Sequence, residues 1–301
     1  MTAPVAEKKA LYASAIINLM MALSGWLAYH YSNSQAILLD GNYSFIAFFV
    51  TLIAIRISLI KSKLTETFPF GQYVYEALFS FGKGLMVIGI LLVALIMSIS
   101  RISHYLNDAP VDVLNTSTVL IYTIVMLLMC VPLAWYCQHE NKKVNNSSMI
   151  LRAEYIGSKT DAIMSFSTGL VLFSIGFLDI NGRFGFLYYT GDAILVIFLV
   201  FFLVKDPIAL ARDSFVEMAG GTLQDKNEKQ KIETILSETL TFDLIKSSYI
   251  SKTGSNYFVV AYVSAQDIDN IGFEQLEQLK QQTLAALKQS YRFVMFEIAL
   301  A

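Results

Sequence analysis

The stretch AILLDGNYSFIAFFVTLIAI, residues 36–55, is long and apolar enough to cross a bilayer, yet it carries a carboxylate, Asp40. A second stretch, RAEYIGSKTDAIMSFSTGLVLF at 152–173, carries two more, Glu154 and Asp161. A charge in hydrocarbon is unfavourable by several kcal/mol, so such residues face a protein interior or a water-filled path. Acids on two different helices are the minimum equipment for holding a cation inside a membrane. These two segments therefore decide both the fold class and where a site is to be sought.

The whole chain agrees with that beginning. Of 301 residues, 55% are hydrophobic and only 15% are charged, and the mean hydropathy is +0.54. Such a profile belongs to a multi-pass α-helical membrane protein rather than a soluble globule. The net charge of −2 leaves no basic footprint for nucleic acid. No nucleophile–base set and no cofactor loop is present, which argues against an enzyme and against a resident cofactor. Cys130 and Cys137 share one helix face but stand too far apart along the axis for a disulfide. They read as small buried side chains, since a two-thiolate metal site would need further soft ligands.

A spanning helix needs about 20 mostly apolar residues. Runs at about 10–31, 35–60, 76–100, 117–138, 150–177 and 187–204 meet that need and predict six transmembrane helices. The fifth is the least obvious to a hydropathy scan because of its charges. The amino-terminal run lacks a small-residue cleavage site and reads as a retained first helix. Lys8, Lys9, Arg56, Lys61, Lys63, Lys142, Lys143, Lys205 and Arg212 all fall on one side of this topology, against Arg101 and Arg183 on the other. The positive-inside rule then places both termini in the cytoplasm, with the chain in the cell membrane.

The composition changes near residue 213, which divides the chain into a membrane part at 1–212 and a smaller domain at 213–301. In the latter, Ile232, Ile235, Leu236 and Leu240 mark one helix face. Strand-like runs at 244–251 and 256–265 flank a turn at Thr253-Gly254-Ser255. A second helix has Phe273, Leu276, Leu279, Leu284 and Leu287 as its apolar set, and RFVMFEIAL reads as a last strand. The order αββαβ suggests a ferredoxin-like α/β sandwich with its helices on one sheet face.

Three motifs carry a resemblance. SQAILLDGNYSFIA resembles the second-helix signature S-x-A-x-L-A-D-A-x-H-S-x-x-D of the cation diffusion facilitator, or cation efflux, family. Phe68-Pro69-Phe70-Gly71 with Glu76-Ala77-Leu78 is similar to that family's Y-P-[FY]-G-x-x-[KR]-x-E-x-L. Arg152-Ala153-Glu154 with Thr160-Asp161-Ala162 resembles its fifth-helix pattern R-A-x-x-x-H-x-x-[ST]-D-[AV]. The resemblance implies a homodimer in the lipid bilayer that exports a divalent metal cation by antiport with protons. It also implies four ligands, an i, i+4 pair on each of the second and fifth helices.

Those four positions fall here on Tyr43, Ala47, Gly157 and Asp161. Asp161 is a donor and Tyr43 offers an oxygen, whereas Ala47 and Gly157 offer no side-chain donor. Asp40 and Glu154 each precede a family ligand position by three residues, on nearly the same helix face. A rebuilt site of Asp161, Asp40, Tyr43 and Glu154, with Asn42 or Ser44 nearby, would be free of histidine and rich in oxygen. That favours harder ions such as manganese or ferrous iron over zinc, with cobalt also open. Asp40 lies near the outer end of its helix and Glu154 near the inner end of its own, so they can also be successive stations on one path. Simple capping or pairing is the competing reading of Asp40, and pairing with Arg152 or Lys159 that of Glu154.

Lys83, inside the third helix, needs an acid partner, and Asp40 or Asp161 would serve. Two lysines among the acids, Lys83 and Lys159, open a different reading, in which the metal site is neutralised and the chain is a transport-incompetent structural or regulatory subunit. Gly82, Gly84 and Gly89 give the third helix a small-residue surface for close packing. The three histidines lie at span ends or loops, and Asp267 and Asp269 read as a solvated turn.

Overall fold

The computed structural model describes residues 3–32, 35–107, 116–175, 186–240, 244–266 and 271–301. Six long helices come first: α1 (Ala3–Ser32), α2 (Gln35–Ile60), α3 (Val74–Leu106), α4 (Thr116–Lys143), α5 (Met149–Ile175) and α6 (Phe186–Leu203). A further helix, α7 (Lys205–Met218), follows α6 directly. The apolar run ends at Leu203, but nothing in KDPIALARDSFVEM stops a helix: proline is tolerated in a first turn. The helix therefore passes through the expected boundary at 212–213.

Among the described residues, five segments are long and apolar enough to cross a membrane: α1, α2, α3, α4 and the joined α6–α7 segment, Tyr189–Met218. Helix α5 falls short on apolarity alone, because Arg152, Glu154, Lys159 and Asp161 interrupt it. It nevertheless packs against α4, α3, α6 and α1. Three of its four charges pair with other helices, Glu154 with α3 and Arg152 and Lys159 with α7.

Two glycines bring α1 and α2 together. A Cβ on Gly25 would stand 2.6 Å from the Gly41 Cα, a distance that real side chains do not reach. Leu11, Ala54, Phe79, Ile150 and Leu210 form the core at one end of the bundle. Met21, Ile37, Tyr122, Met126 and Ala162 form it at the other. Cys130 and Cys137 are free and buried, Cys130 against the Met21 sulfur and Cys137 against the Ser14 hydroxyl. Gly84 packs on α7, where a Cβ would lie 3.1 Å from the Pro207 carbonyl oxygen; Gly82 and Gly89 have open space beside them.

The smaller domain has the expected order: α8 (Lys226–Thr239), β1 (Ile245–Thr253), β2 (Asn256–Val263), α9 (Phe273–Ser290) and β3 (Val294–Leu300). Strand β2 lies between β1, antiparallel to it, and β3, parallel to it. Asp225 caps α8 by accepting from the Asn227 and Glu228 amides. Ile232, Leu236 and Leu287 from the helices pack with Tyr257, Val259 and Phe296 of the sheet. Phe273, expected on the core face of α9, is the first residue of that helix and is 83% exposed. Asp267 and Asp269 lie outside the described residues.

A buried polar joint fixes this domain to the helices. Glu76, at the start of α3, is fully buried and accepts from the Met149 amide, the Ser255 amide and hydroxyl, and the Lys61 ammonium. Lys61 also pairs with Glu7 at 2.7 Å. Burial pushes the Lys61 ammonium down, but Glu76 and Glu7 outweigh it and hold it above its ordinary value. Nearby, Glu217 of α7 accepts from the Gly254 amide and pairs with Lys252. Gly71 has φ +93°, and a Cβ there would run into the Tyr73 ring, so the FPFG turn leading into α3 depends on glycine.

Candidate functional site

Helix α5 is amphipathic in an unusual sense: two of its acids, seven residues apart, line the same inner face. Two turns separate Glu154 from Asp161, about 10 Å along the axis at 1.5 Å per residue. Glu154 lies toward the end of the bundle that carries the smaller domain, and Asp161 lies further in. Helix α2 reaches Glu154 through Thr51, near the domain end, and carries Asp40 near the far end.

At the far end, Asp40 is half-buried and accepts a 2.6 Å hydrogen bond from the Tyr122 hydroxyl of α4. Tyr122 is itself buried. The sequence offers little signal for this partner, since a tyrosine within LIYTIVMLLMC reads as one more apolar side chain. Asp161 is half-buried and lies within electrostatic reach of Asp40, Lys83 and Glu154. Among the described residues it makes no hydrogen bond and no ion pair. Of Asp40, Glu154 and Asp161, it is the one for which the described residues supply no direct partner.

At the domain end, a buried network joins four helices. Lys83 of α3 donates to Glu154 at 2.9 Å, and these side chains are 6% and 1% exposed. The same Glu154 oxygen lies 3.3 Å from the Thr51 hydroxyl of α2. Thr51 also reaches the Ala47 carbonyl at 2.9 Å and accepts from the Asn18 amide of α1 at 3.1 Å. The Thr51 hydroxyl has one proton, which serves either acceptor.

Several expected pairings resolve differently. Lys83 pairs with Glu154, not with Asp40 or Asp161. Arg152 pairs with Asp213 and Lys159 with Asp206, both on α7, because their positions on α5 turn them away from the inner face. Neither neutralises Glu154. Asn42 is exposed and accepts from the Trp26 indole, so it does not join the acids. Tyr43 is half-buried on α2 and makes no hydrogen bond to any of the acids; Ser44 is buried.

Among the described residues, no three side chains of His, Cys, Asp or Glu converge closely enough to hold a metal ion. What the geometry offers is a file of charges: Asp40 with its tyrosine, then Asp161, then the Glu154–Lys83 pair. Carboxylate and hydroxyl oxygens suit hard cations that retain part of their water shell.

The family described as cation efflux transmembrane domain matches residues 11–219. That range takes in all of the acids and helices α2 to α7. No curated protein matches the chain.

Proposed function

Because the chain belongs to the cation efflux family, the cation diffusion facilitators, whose members are membrane transporters of metal cations and not enzymes, we infer that it exports a divalent metal cation from the cytoplasm in exchange for protons. The cargo is held chiefly by Asp161, with Asp40 as a second station and Tyr43 and Glu154 flanking them on the same two helices. The site is free of histidine and lined by oxygen. Manganese and ferrous iron are the favoured ions, ahead of zinc.

One observation carries this reading. Asp161 is a carboxylate inside a helical bundle with no hydrogen-bonding or ionic partner among the described residues. An ionised carboxylate in such surroundings is costly unless a cation or a proton compensates it. Exchange of one for the other is the elementary step of antiport. Helix α5 serves as the sixth span, its Glu154 paired with α3 and its Arg152 and Lys159 with α7. A homodimer in the cell membrane, with both termini and the smaller domain in the cytoplasm, completes the reading.

The test is a metal panel in proteoliposomes with an internal pH-sensitive dye. Manganese or iron should move with an opposing proton flux, and Asp161→Ala should reduce that flux to the level of empty liposomes. Unchanged flux in Asp161→Ala would remove the central assignment. A second reading, a transport-incompetent structural or regulatory subunit, draws on the Lys83–Glu154 pair and on the missing donors at Ala47 and Gly157. It predicts no flux of any ion from the purified chain.

A further inference from the structure

Gly157 occupies a position where the family resemblance implies a ligand, and the space beside it is filled. A Cβ built on Gly157 would touch the Lys83 side chain, with Cε at 3.4 Å. The Lys83 stem therefore lies where any longer side chain at 157 would begin. Its ammonium ends on Glu154, one helical turn away, in a pair that solvent barely reaches. Lys83 arrives from α3, a helix outside the α2–α5 pair, so it closes the path from the side.

We propose that Lys83 is a tethered cation standing in the ligand position that Gly157 leaves open, and that Glu154 is its anchor and not a ligand of the cargo. The proposal rests on the reading of this path as a cation path, and it changes the charge balance there. Asp40, Asp161 and Glu154 supply three negative charges, Lys83 returns one positive charge, and the remainder matches a single divalent cation. Thr51 supports the assignment, because its hydroxyl faces the same Glu154 oxygen that Lys83 holds. The pair is neutral as a unit, which makes its burial tolerable, whereas either partner alone would be an uncompensated charge. The tethered ammonium repels a second ion at the domain end and confines the cargo to Asp161 and Asp40.

The measurement is manganese(II) binding to the purified full chain in detergent, by calorimetry, for Lys83→Met, Glu154→Gln and the double variant. Lys83→Met removes the competing charge and frees Glu154, so manganese should bind at least about tenfold more tightly. Glu154→Gln leaves the ammonium unanchored beside Asp161, and binding should weaken by about tenfold or more. Combining the two should recover most of that loss. Because the double variant removes the pair together, it remains informative if Glu154→Gln alone folds poorly. The proposal is overturned if Lys83→Met leaves affinity unchanged, as it would were the lysine mere filling. It is equally overturned if the double variant stays as weak as Glu154→Gln, which would make Glu154 a ligand. Absence of binding in both the wild type and Lys83→Met also overturns it. Adding Asp161→Ala to Lys83→Met separates the two ideas. Binding that survives there refutes Asp161 as the ligand while leaving the Lys83 result to stand by itself.

Discussion

Charged residues in this chain differ more by burial than by type. Glu76 is fully buried and holds a lysine, two amides and a hydroxyl, whereas the side chains of the Lys159–Asp206 pair are 37% and 47% exposed. Glu76→Gln should cost about 3–5 kcal/mol, the penalty for breaking a buried pair and stranding its partner. Lys159→Ala should cost less than about 1 kcal/mol, as exposed ion pairs do. Denaturant unfolding of the full chain in detergent would read both, and similar losses would mean that burial does not rank these sites. At this scale the sequence was informative about which residues mattered and much less so about their partners. Asp40, Glu154, Asp161 and Lys83 stand out because charge is rare in apolar segments. Who pairs with whom depends on how each helix is rotated, which composition does not encode. Lys83 thus meets Glu154, and Tyr122 enters unannounced because its ring is as apolar as its neighbours.

Helix spans follow directly from apolar runs, since 20 residues of hydrocarbon-compatible side chain leave few alternatives. The boundaries spread outward from those runs: α3 extends to Leu106 and α4 to Lys143, where polar residues continue a helix that has left the apolar zone. Helix α7 was hidden for the same reason, being a polar continuation of an apolar span. The close approach of α1 and α2 was equally hidden, because a glycine within a helix is legible as small but not as touching another glycine. Gly25→Ala should therefore lower stability by about 1–3 kcal/mol through overpacking at Gly41. Gly82→Ala, with open space around its Cβ, should be neutral or gain up to about 1 kcal/mol from helix propensity. Thermal unfolding of the two variants side by side checks the contrast, and equal midpoints would mean that the helices part without cost.

At the scale of the molecule, the αββαβ order of the smaller domain was readable from periodicity, but its attachment was not. The joint assembles from Lys61, Glu76, Glu217 and the hairpin turn at Gly254-Ser255, segments far apart in the chain. Gly254 is its narrowest point: φ is +58°, and a Cβ would lie 2.6 Å from the Tyr73 carbonyl oxygen and 2.9 Å from a Glu76 carboxylate oxygen. Gly254→Ala should thus unseat the smaller domain from the helices while leaving its core of Ile232, Leu236, Val259 and Phe296 intact. The strain of an alanine at positive φ would also act on the hairpin itself. Gly272→Ala isolates that contribution, since its φ is +83° and nothing lies within 4 Å of the added methyl. Limited proteolysis of the full chain in detergent distinguishes the outcomes. Cleavage between residues 219 and 225, the connection from α7 to α8, should quicken in Gly254→Ala and stay at the wild-type rate in Gly272→Ala, with far-ultraviolet circular dichroism unchanged in both. Equal protection in the two variants would show that the domain is held by its other contacts.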